Sequence, residues 1–134
     1  MTETSKGPTR HLFFIASKTV HAPKWRKLKE EGVPLGCTWP EVTNWEQAND
    51  KERGKFWVEN LQELKKCTCL ILYCEPQEQQ QGGLIETGVA ISEGIPVIVV
   101  YEGYAPLPEP SWTKHPLVTV VRSLDAAFEA AKGV

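Results

Sequence analysis

The chain contains short runs of apolar residues that alternate with helix-forming segments, and this alternation constrains the fold more than any other feature. The clearest runs are HLFFIA at residues 11–16, CLILYC at 69–74 and PVIVVY at 96–101. Each run is too short for a helix and is rich in β-branched or aromatic residues, which is typical of a buried strand. Because the runs are continuous and do not alternate with polar residues, they predict strands that are covered on both faces, as in a parallel sheet.

Weaker segments between these runs complete the pattern. We expect two more strands at 33–39 and 117–121, and helices at 24–31, 51–67, 84–93 and 124–132. Alternating strands and helices joined by right-handed crossovers predict an α/β fold with helices on both faces of the sheet. The simplest arrangement is an open five-stranded parallel sheet of order 2-1-3-4-5, which is flavodoxin-like or Rossmann-like.

The size and charge of the chain limit its class. A chain of 134 residues predicts a single domain, over 11–134, after a polar tail at 1–10 that we expect to be flexible. The 15 basic and 17 acidic side chains give a net charge of −2, which argues against a nucleic-acid partner. The apolar runs are far shorter than the roughly 20 residues of a membrane helix, and the N-terminus lacks the apolar centre of a signal peptide. We therefore expect a cytoplasmic protein with no membrane partner.

The four cysteines do not suggest a metal site. Cys37, Cys67, Cys69 and Cys74 form no CxxC pair, and no histidine stands at metal-ligand spacing from them. Cysteines in or beside apolar runs behave as small hydrophobic residues, and we expect Cys67 to be the most exposed of the four.

The predicted topology places a crevice at the carboxyl ends of strands 1 and 3, where the winding of the sheet reverses. Residues that follow the predicted strands would line it, namely Ser17, Lys18, Trp39, Glu75 and Gln80, together with Gly82 and Gly83. The glycine pair lies where a loop becomes a helix, and a helix start can hold an anion. A flexible turn is the alternative interpretation of this pair.

Glu86 falls in the first turn of the predicted helix, and two roles fit that position. The carboxylate could stabilise the helix through its dipole. It could also be a nucleophile, kept ionised by the dipole and aimed into the crevice. The local sequence leaves both roles open.

The segment GGLIETGVAISEGIPVIV at 82–99 resembles the signature of the nucleoside 2-deoxyribosyltransferase-like superfamily. The elements that carry the resemblance are Gly82, Glu86, Gly88, Ala90, Gly94 and Pro96, and LFFIASK at 12–18 resembles the first strand of that family. The resemblance implies an enzyme that acts on an N-glycosidic bond, either a nucleoside or nucleotide deoxyribosyltransferase or a hydrolase. Glu86 would attack the anomeric carbon, and a second base or water would resolve the glycosyl-enzyme intermediate with retention.

The same resemblance implies roles for the other crevice residues. The glycine pair would let the sugar approach the helix start, Ser17 and Lys18 would line the sugar or a 5′ group, and Trp39 or Trp57 would stack on the base. Where the family carries an aspartate six residues before the glutamate, this chain has Gln80, and Glu75 or Glu78 would substitute for the missing acid. The partner implied is a small-molecule nucleoside or nucleotide, the assembly a homo-oligomer, and neither a metal nor an organic cofactor is implied.

Two alternatives stay open. An amide such as Gln80 cannot act as a general acid, which favours a non-catalytic module that binds or senses nucleotides on the same fold. A lysine-decarboxylase-like phosphoribohydrolase has a similar glycine-rich turn and glutamate, and would release a base only from 5′-monophosphates. The longer PGGxGT run of that family is missing from this chain.

Overall fold

The computed structural model describes residues 10–134, and in this range four parallel strands form one sheet of order β1-β2-β3-β4. The tail predicted at 1–10 lies outside the described residues except for Arg10. The strands are β1 (Phe13–Ala16), β2 (Cys69–Cys74), β3 (Val97–Tyr101) and β4 (Val118–Val121). The helices are α1 (Ala22–Glu30), α2 (Asp50–Lys65), α3 (Gly82–Ser92) and α4 (Leu124–Lys132).

The core is built on the first three strands of the sheet. Every residue of β1, β2 and β3 is buried. Since successive side chains of a strand point to opposite faces, complete burial means that both faces are covered, as the continuous apolar runs predict. Ile15, Ile71 and Ile98 lie side by side across the three strands. β4 is only partly buried and forms an edge.

The predicted strand at 33–39 is wrong, because this segment joins the sheet through a single parallel bridge between Leu35 and Phe13. The Phe13 amide donates to the Pro34 carbonyl, and the Gly36 amide donates to the Phe13 carbonyl, both at 2.8 Å. Pro34 has no N–H with which to extend the ladder. The expected five-stranded sheet is therefore four-stranded, with one bridge beside β1.

The helices pack as layers on the sheet. α3 lies against β1, β2 and β3 and also contacts α2, whereas α4 lies against β2, β3 and β4. α2 begins with a capping box, in which the Asn49 side chain accepts from the Glu52 amide at 2.8 Å and the Glu52 carboxylate accepts from the Asn49 amide at 2.9 Å.

Two smaller expectations also need correction. α3 begins at Gly82, two residues earlier than predicted, so both glycines belong to the helix. Cys67 is buried like the other three cysteines, and its amide donates to the Leu64 carbonyl at 2.9 Å just after the end of α2. Among residues 10–134, no helix has the length and apolar character needed to cross a membrane.

Candidate active site

A cavity of about 550 Å³ lies beside the carboxyl end of β1 and the start of α3. The segment after β1, the stretch from 39 to 46, one face of α2 and residues 80–86 form its wall. All but one of the site residues predicted from the sequence line it, namely Ser17, Lys18, Trp39, Gln80, Gly82, Gly83 and Glu86. Four separate segments of the chain therefore meet where the sequence predicts the crevice.

Aromatic rings form one side of the cavity. The ring of Phe56 lies edge-on to Trp45 and to Trp57, with centroid distances of 5.1 and 6.1 Å. Trp39 is 8% exposed, and its indole N–H donates to the Ile15 carbonyl at 2.7 Å, which fixes the ring at the end of β1. A wall of rings held in this way suits a planar heterocycle.

Glu86 is the buried acid of the cavity. It is 7% exposed, and Oε2 accepts a hydrogen bond from Nδ2 of Asn60 at 2.6 Å. Burial raises the pKa of Glu86 to about 7 from an ordinary 4.5, while the Asn60 hydrogen bond acts in the opposite direction. The carboxyl group therefore changes charge near neutral pH, a range in which acid–base groups of active sites often titrate.

The predicted position of Glu86 in its helix is wrong. Since α3 begins at Gly82, Glu86 is beyond the first turn, which carries no acidic residue. The field of the helix end weakens beyond the first turn, so it cannot be what keeps this carboxylate charged. Burial has the largest effect on the pKa of Glu86 and raises it, so the group is far easier to protonate than the helix-start interpretation predicts.

The glycine pair allows close packing at this point. A Cβ on Gly82 would lie 3.1 Å from the Trp57 ring, and a Cβ on Gly83 would lie 3.0 Å from both Leu72 Cδ1 and Gln80 Oε1. Both residues are helical. The pair thus brings the start of α3 against the cavity wall, and the flexible-turn interpretation is not supported.

Gln80 presents an unused donor. Its Nε2 is buried and has no hydrogen-bond partner within residues 10–134. Buried polar atoms are rarely left unpaired, so this donor carries a free-energy cost in the structure as it stands. An amide here can bond a substrate oxygen but cannot supply a proton.

The residues after β1 supply hydroxyl groups and a cation to the rim. The Ser17 hydroxyl accepts from the Trp25 indole N–H at 2.8 Å and donates to the Lys18 carbonyl at 3.0 Å. Nζ of Lys18 donates to the Gln79 carbonyl at 3.1 Å and is exposed. Lys18 therefore gives the rim a positive charge next to the loop that leads into α3.

Glu75, the remaining predicted residue, lies outside the cavity wall in a polar cluster. Its Oε2 accepts from the Tyr73 hydroxyl at 2.5 Å and lies 3.9 Å from Nζ of Lys24. Nε2 of His21 lies 2.6 Å from Oε2 of Glu78. Ligand atoms of His21, Glu75 and Glu78 lie within 4.8 Å of one another, so the cluster has the residue types of a metal site. Each carboxylate already has a partner in the protein, which is the arrangement of an ion-pair network.

Asn60 is the residue that sequence analysis missed. It is 2% exposed and lies on α2, four residues after Phe56 and four before the buried Leu64. Positions four apart share a helix face, so a polar amide here interrupts an apolar stripe. That interruption is a signal that the sequence does contain.

Comparisons with known proteins agree with the fold. No protein-family model matches the sequence, and no curated protein matches it. Among solved structures, this chain is similar to the CMP N-glycosidase BcmB of Clostridium botulinum. The TM-score is 0.52 at 14% identity, and the match covers 91% of this chain and 96% of that chain. At this identity the similarity shows a shared α/β fold over nearly the full length of both chains.

Proposed function

We propose that this protein breaks the N-glycosidic bond of a nucleoside or nucleotide, with Glu86 as the nucleophile. The observation that carries the proposal is a glutamate, 93% of whose surface is covered, lining a cavity with aromatic rings on one side and a lysine at the rim. A volume of about 550 Å³ falls in the range of small-molecule sites. The similar fold of a CMP N-glycosidase supports a nucleotide as the ligand class.

The chemistry follows that of retaining glycoside cleavage. One carboxylate oxygen of Glu86 forms a bond to the anomeric carbon as the carbon–nitrogen bond breaks, and the electron pair leaves with the base. The base nitrogen takes a proton from water, since Gln80 cannot donate one. Water, or a second base, then attacks the anomeric carbon of the glycosyl ester, gives its proton to the hydroxide left by the first step, and frees the carboxylate with net retention.

The ionisation of Glu86 predicts how the rate depends on pH. Attack requires the carboxylate, and burial raises the pKa of Glu86 to about 7. We expect kcat/KM to rise with pH and to level off above about pH 8, because the acidic limb reports the nucleophile of the free enzyme. A pH–rate profile that is flat from pH 5 to about pH 8 would contradict this role for Glu86.

The direct test is release of free base, followed by chromatography, from a panel of ribo- and deoxyribonucleosides and their 5′-monophosphates. Glu86→Gln keeps the shape of the side chain and removes the nucleophile, so we expect at least a 1000-fold loss. A 2′-fluorinated substrate that slows the second step should leave a sugar adduct on Glu86, detectable by mass spectrometry of peptides. Base release that is equal in Glu86→Gln and the wild type would overturn the proposal.

Gln80 supports a second candidate, a module that binds nucleotides without turnover. The Gln80 amide lines the cavity wall at the position where the family that the sequence resembles carries an acid, and an amide cannot supply a proton to the leaving base. Calorimetry with the same panel distinguishes the two, since the second candidate requires saturable nucleotide binding with no base released. Any turnover that depends on Glu86 removes this candidate.

A further inference from the structure

The Glu86 carboxylate has one side-chain hydrogen-bond partner in the described part of the chain, and it comes from a different helix. Nδ2 of Asn60 donates to Oε2 at 2.6 Å, a short distance typical of a bond to a charged acceptor. Asn60 lies on α2 and Glu86 on α3, and the two helices pack together. The bond therefore joins two helices beside the cavity that Glu86 lines.

We infer that Asn60 is the positioning residue of the site, which favours the ionised form of the Glu86 carboxylate and leaves one of its two oxygens free to attack. The inference rests on the proposed function. With Oε2 held by Nδ2, the oxygen available to the anomeric carbon is Oε1. In the glycosyl ester Oε1 carries the sugar, and Oε2 becomes the carbonyl oxygen, which still accepts from Nδ2. One donor thus serves the free carboxylate and the intermediate without moving.

The cost of keeping an amide here supports a functional role. Oδ1 of Asn60 is buried and has no partner within residues 10–134. An unpaired buried acceptor destabilises the fold, and an apolar residue of similar size would avoid that loss. The neighbours on the same face of α2, Phe56 and Leu64, are apolar. For packing alone, a leucine at this position would therefore serve about as well as Asn60.

Charged groups on the surrounding elements do not replace Asn60. Lys18 and Glu46 line the same cavity and are both exposed, so solvent screens them. On α2, Glu59 is exposed, and Glu63 accepts from the Thr38 hydroxyl at 2.7 Å. β1 carries no titratable side chain. Those of β2 and β3 are thiols and phenols whose pKa values burial raises, so they are neutral near pH 7, namely Cys69, Tyr73, Cys74 and Tyr101.

The test compares Asn60→Leu with Leu61→Ala, a neighbouring change on α2 that removes packing but leaves the Asn60 amide. Two readouts are needed, the pH profile of kcat/KM and a carbon-13 NMR titration of the Glu86 carboxyl, assigned by its absence in Glu86→Gln. Loss of a hydrogen bond to a charged group should move both midpoints of Asn60→Leu up by about one to two pH units. The same shift lowers kcat/KM by about 5- to 50-fold near pH 7, with recovery at higher pH. Leu61→Ala should move neither midpoint.

The outcomes separate this inference from the proposed function. Base release with unmoved midpoints in a folded Asn60→Leu protein overturns the role of Asn60 and leaves the function intact. No base release from any substrate, with a shifted NMR midpoint, overturns the function and leaves Asn60 as the residue that sets the charge of Glu86. No release and an unmoved midpoint overturn both. Asn60→Asp adds a check, since a second carboxylate beside Glu86 should also raise the midpoint.

Discussion

At the scale of single residues, the site depends on a balance between burial and one hydrogen bond. Burial pushes the Glu86 carboxyl towards its neutral form, and the Asn60 amide opposes it. The result is a pKa of about 7, so a small change around the group alters its charge under ordinary conditions. A carboxylate that is costly to bury is also a poorly solvated one, which is what a nucleophile in a cavity needs.

This balance predicts that Glu86 destabilises the protein at alkaline pH. The native carboxyl protonates near pH 7 and an unfolded glutamate near 4.5, so between these values the native state binds more protons and stability falls as pH rises. The difference amounts to about 3 kcal/mol, present in full above the native pKa. We expect Glu86→Gln to exceed wild-type stability by up to that amount in alkaline buffer and to match it in acid, measured by urea unfolding. Glu59→Gln, an exposed glutamate on α2, is the control for loss of a charge. Parallel stability curves for the wild type and Glu86→Gln would contradict this prediction.

At the scale of elements, the start of α3 is the part of the fold that brings the site together. Its two glycines allow Trp57 of α2, Leu72 of β2 and the Gln80 side chain to approach within contact distance. Glycine within a helix costs about 0.5–1 kcal/mol relative to alanine. Gly82 and Gly83 carry that cost, and their lack of a side chain permits the close approach that closes the cavity wall.

Alanine substitutions within α3 test this role directly. We expect Gly83→Ala to lower stability and weaken nucleotide binding by about tenfold, since the new methyl group would displace Leu72 or Gln80. Gly88→Ala is the matched control, because no described atom outside its own helix and chain neighbours lies within 4 Å of the added Cβ. It should stabilise the protein by about 0.5–1 kcal/mol and leave binding unchanged. Equal behaviour of the two variants in calorimetry and thermal unfolding would contradict the close-approach explanation.

At the scale of the whole molecule, the cavity joins parts of the chain that are far apart in sequence. Its wall runs from Ser17 to Glu86 and includes segments from before, within and after α2. A ligand that fills it would contact all of these segments in the folded state and none in the unfolded state. Binding should therefore stabilise the domain as one unit.

Ligand-dependent unfolding tests the cavity as a nucleotide site independently of catalysis. With Glu86→Gln, which prevents turnover, a nucleoside 5′-monophosphate at 100 times its Kd should add about 2.7 kcal/mol to the unfolding free energy. Lys18→Ala should weaken binding of the monophosphate and have little effect on the nucleoside, because the exposed ammonium lies at the rim. Inorganic phosphate alone is the control ligand. An unfolding midpoint that no nucleotide shifts would argue against this site.

The strands that could be predicted from the sequence are those with a clear local pattern of apolar residues. Continuous apolar runs predict β1, β2 and β3, and their complete burial confirms covered strands. The predicted strand at 33–39 is wrong because apolar residues alone do not make a strand. Each residue also needs a backbone N–H that can bond to the neighbouring strand, and Pro34 has no N–H. The predicted helix start at 84 is two residues late because glycines are typical of turns, whereas the close packing of Gly82 on Trp57 and of Gly83 on Leu72 depends on the tertiary structure.

By itself, the sequence determined that the residues after β1 and at the start of α3 come together at one cavity, since the order of strands and helices requires it. Tertiary structure alone decided that Glu75 belongs to a separate ion-pair network, that Glu86 is buried and easily protonated, and that Asn60 bonds to it. The physical reason is that charge and hydrogen bonding depend on what packs around a group. Asn60 stands 26 residues before Glu86, and no local pattern joins the two until α2 folds against α3.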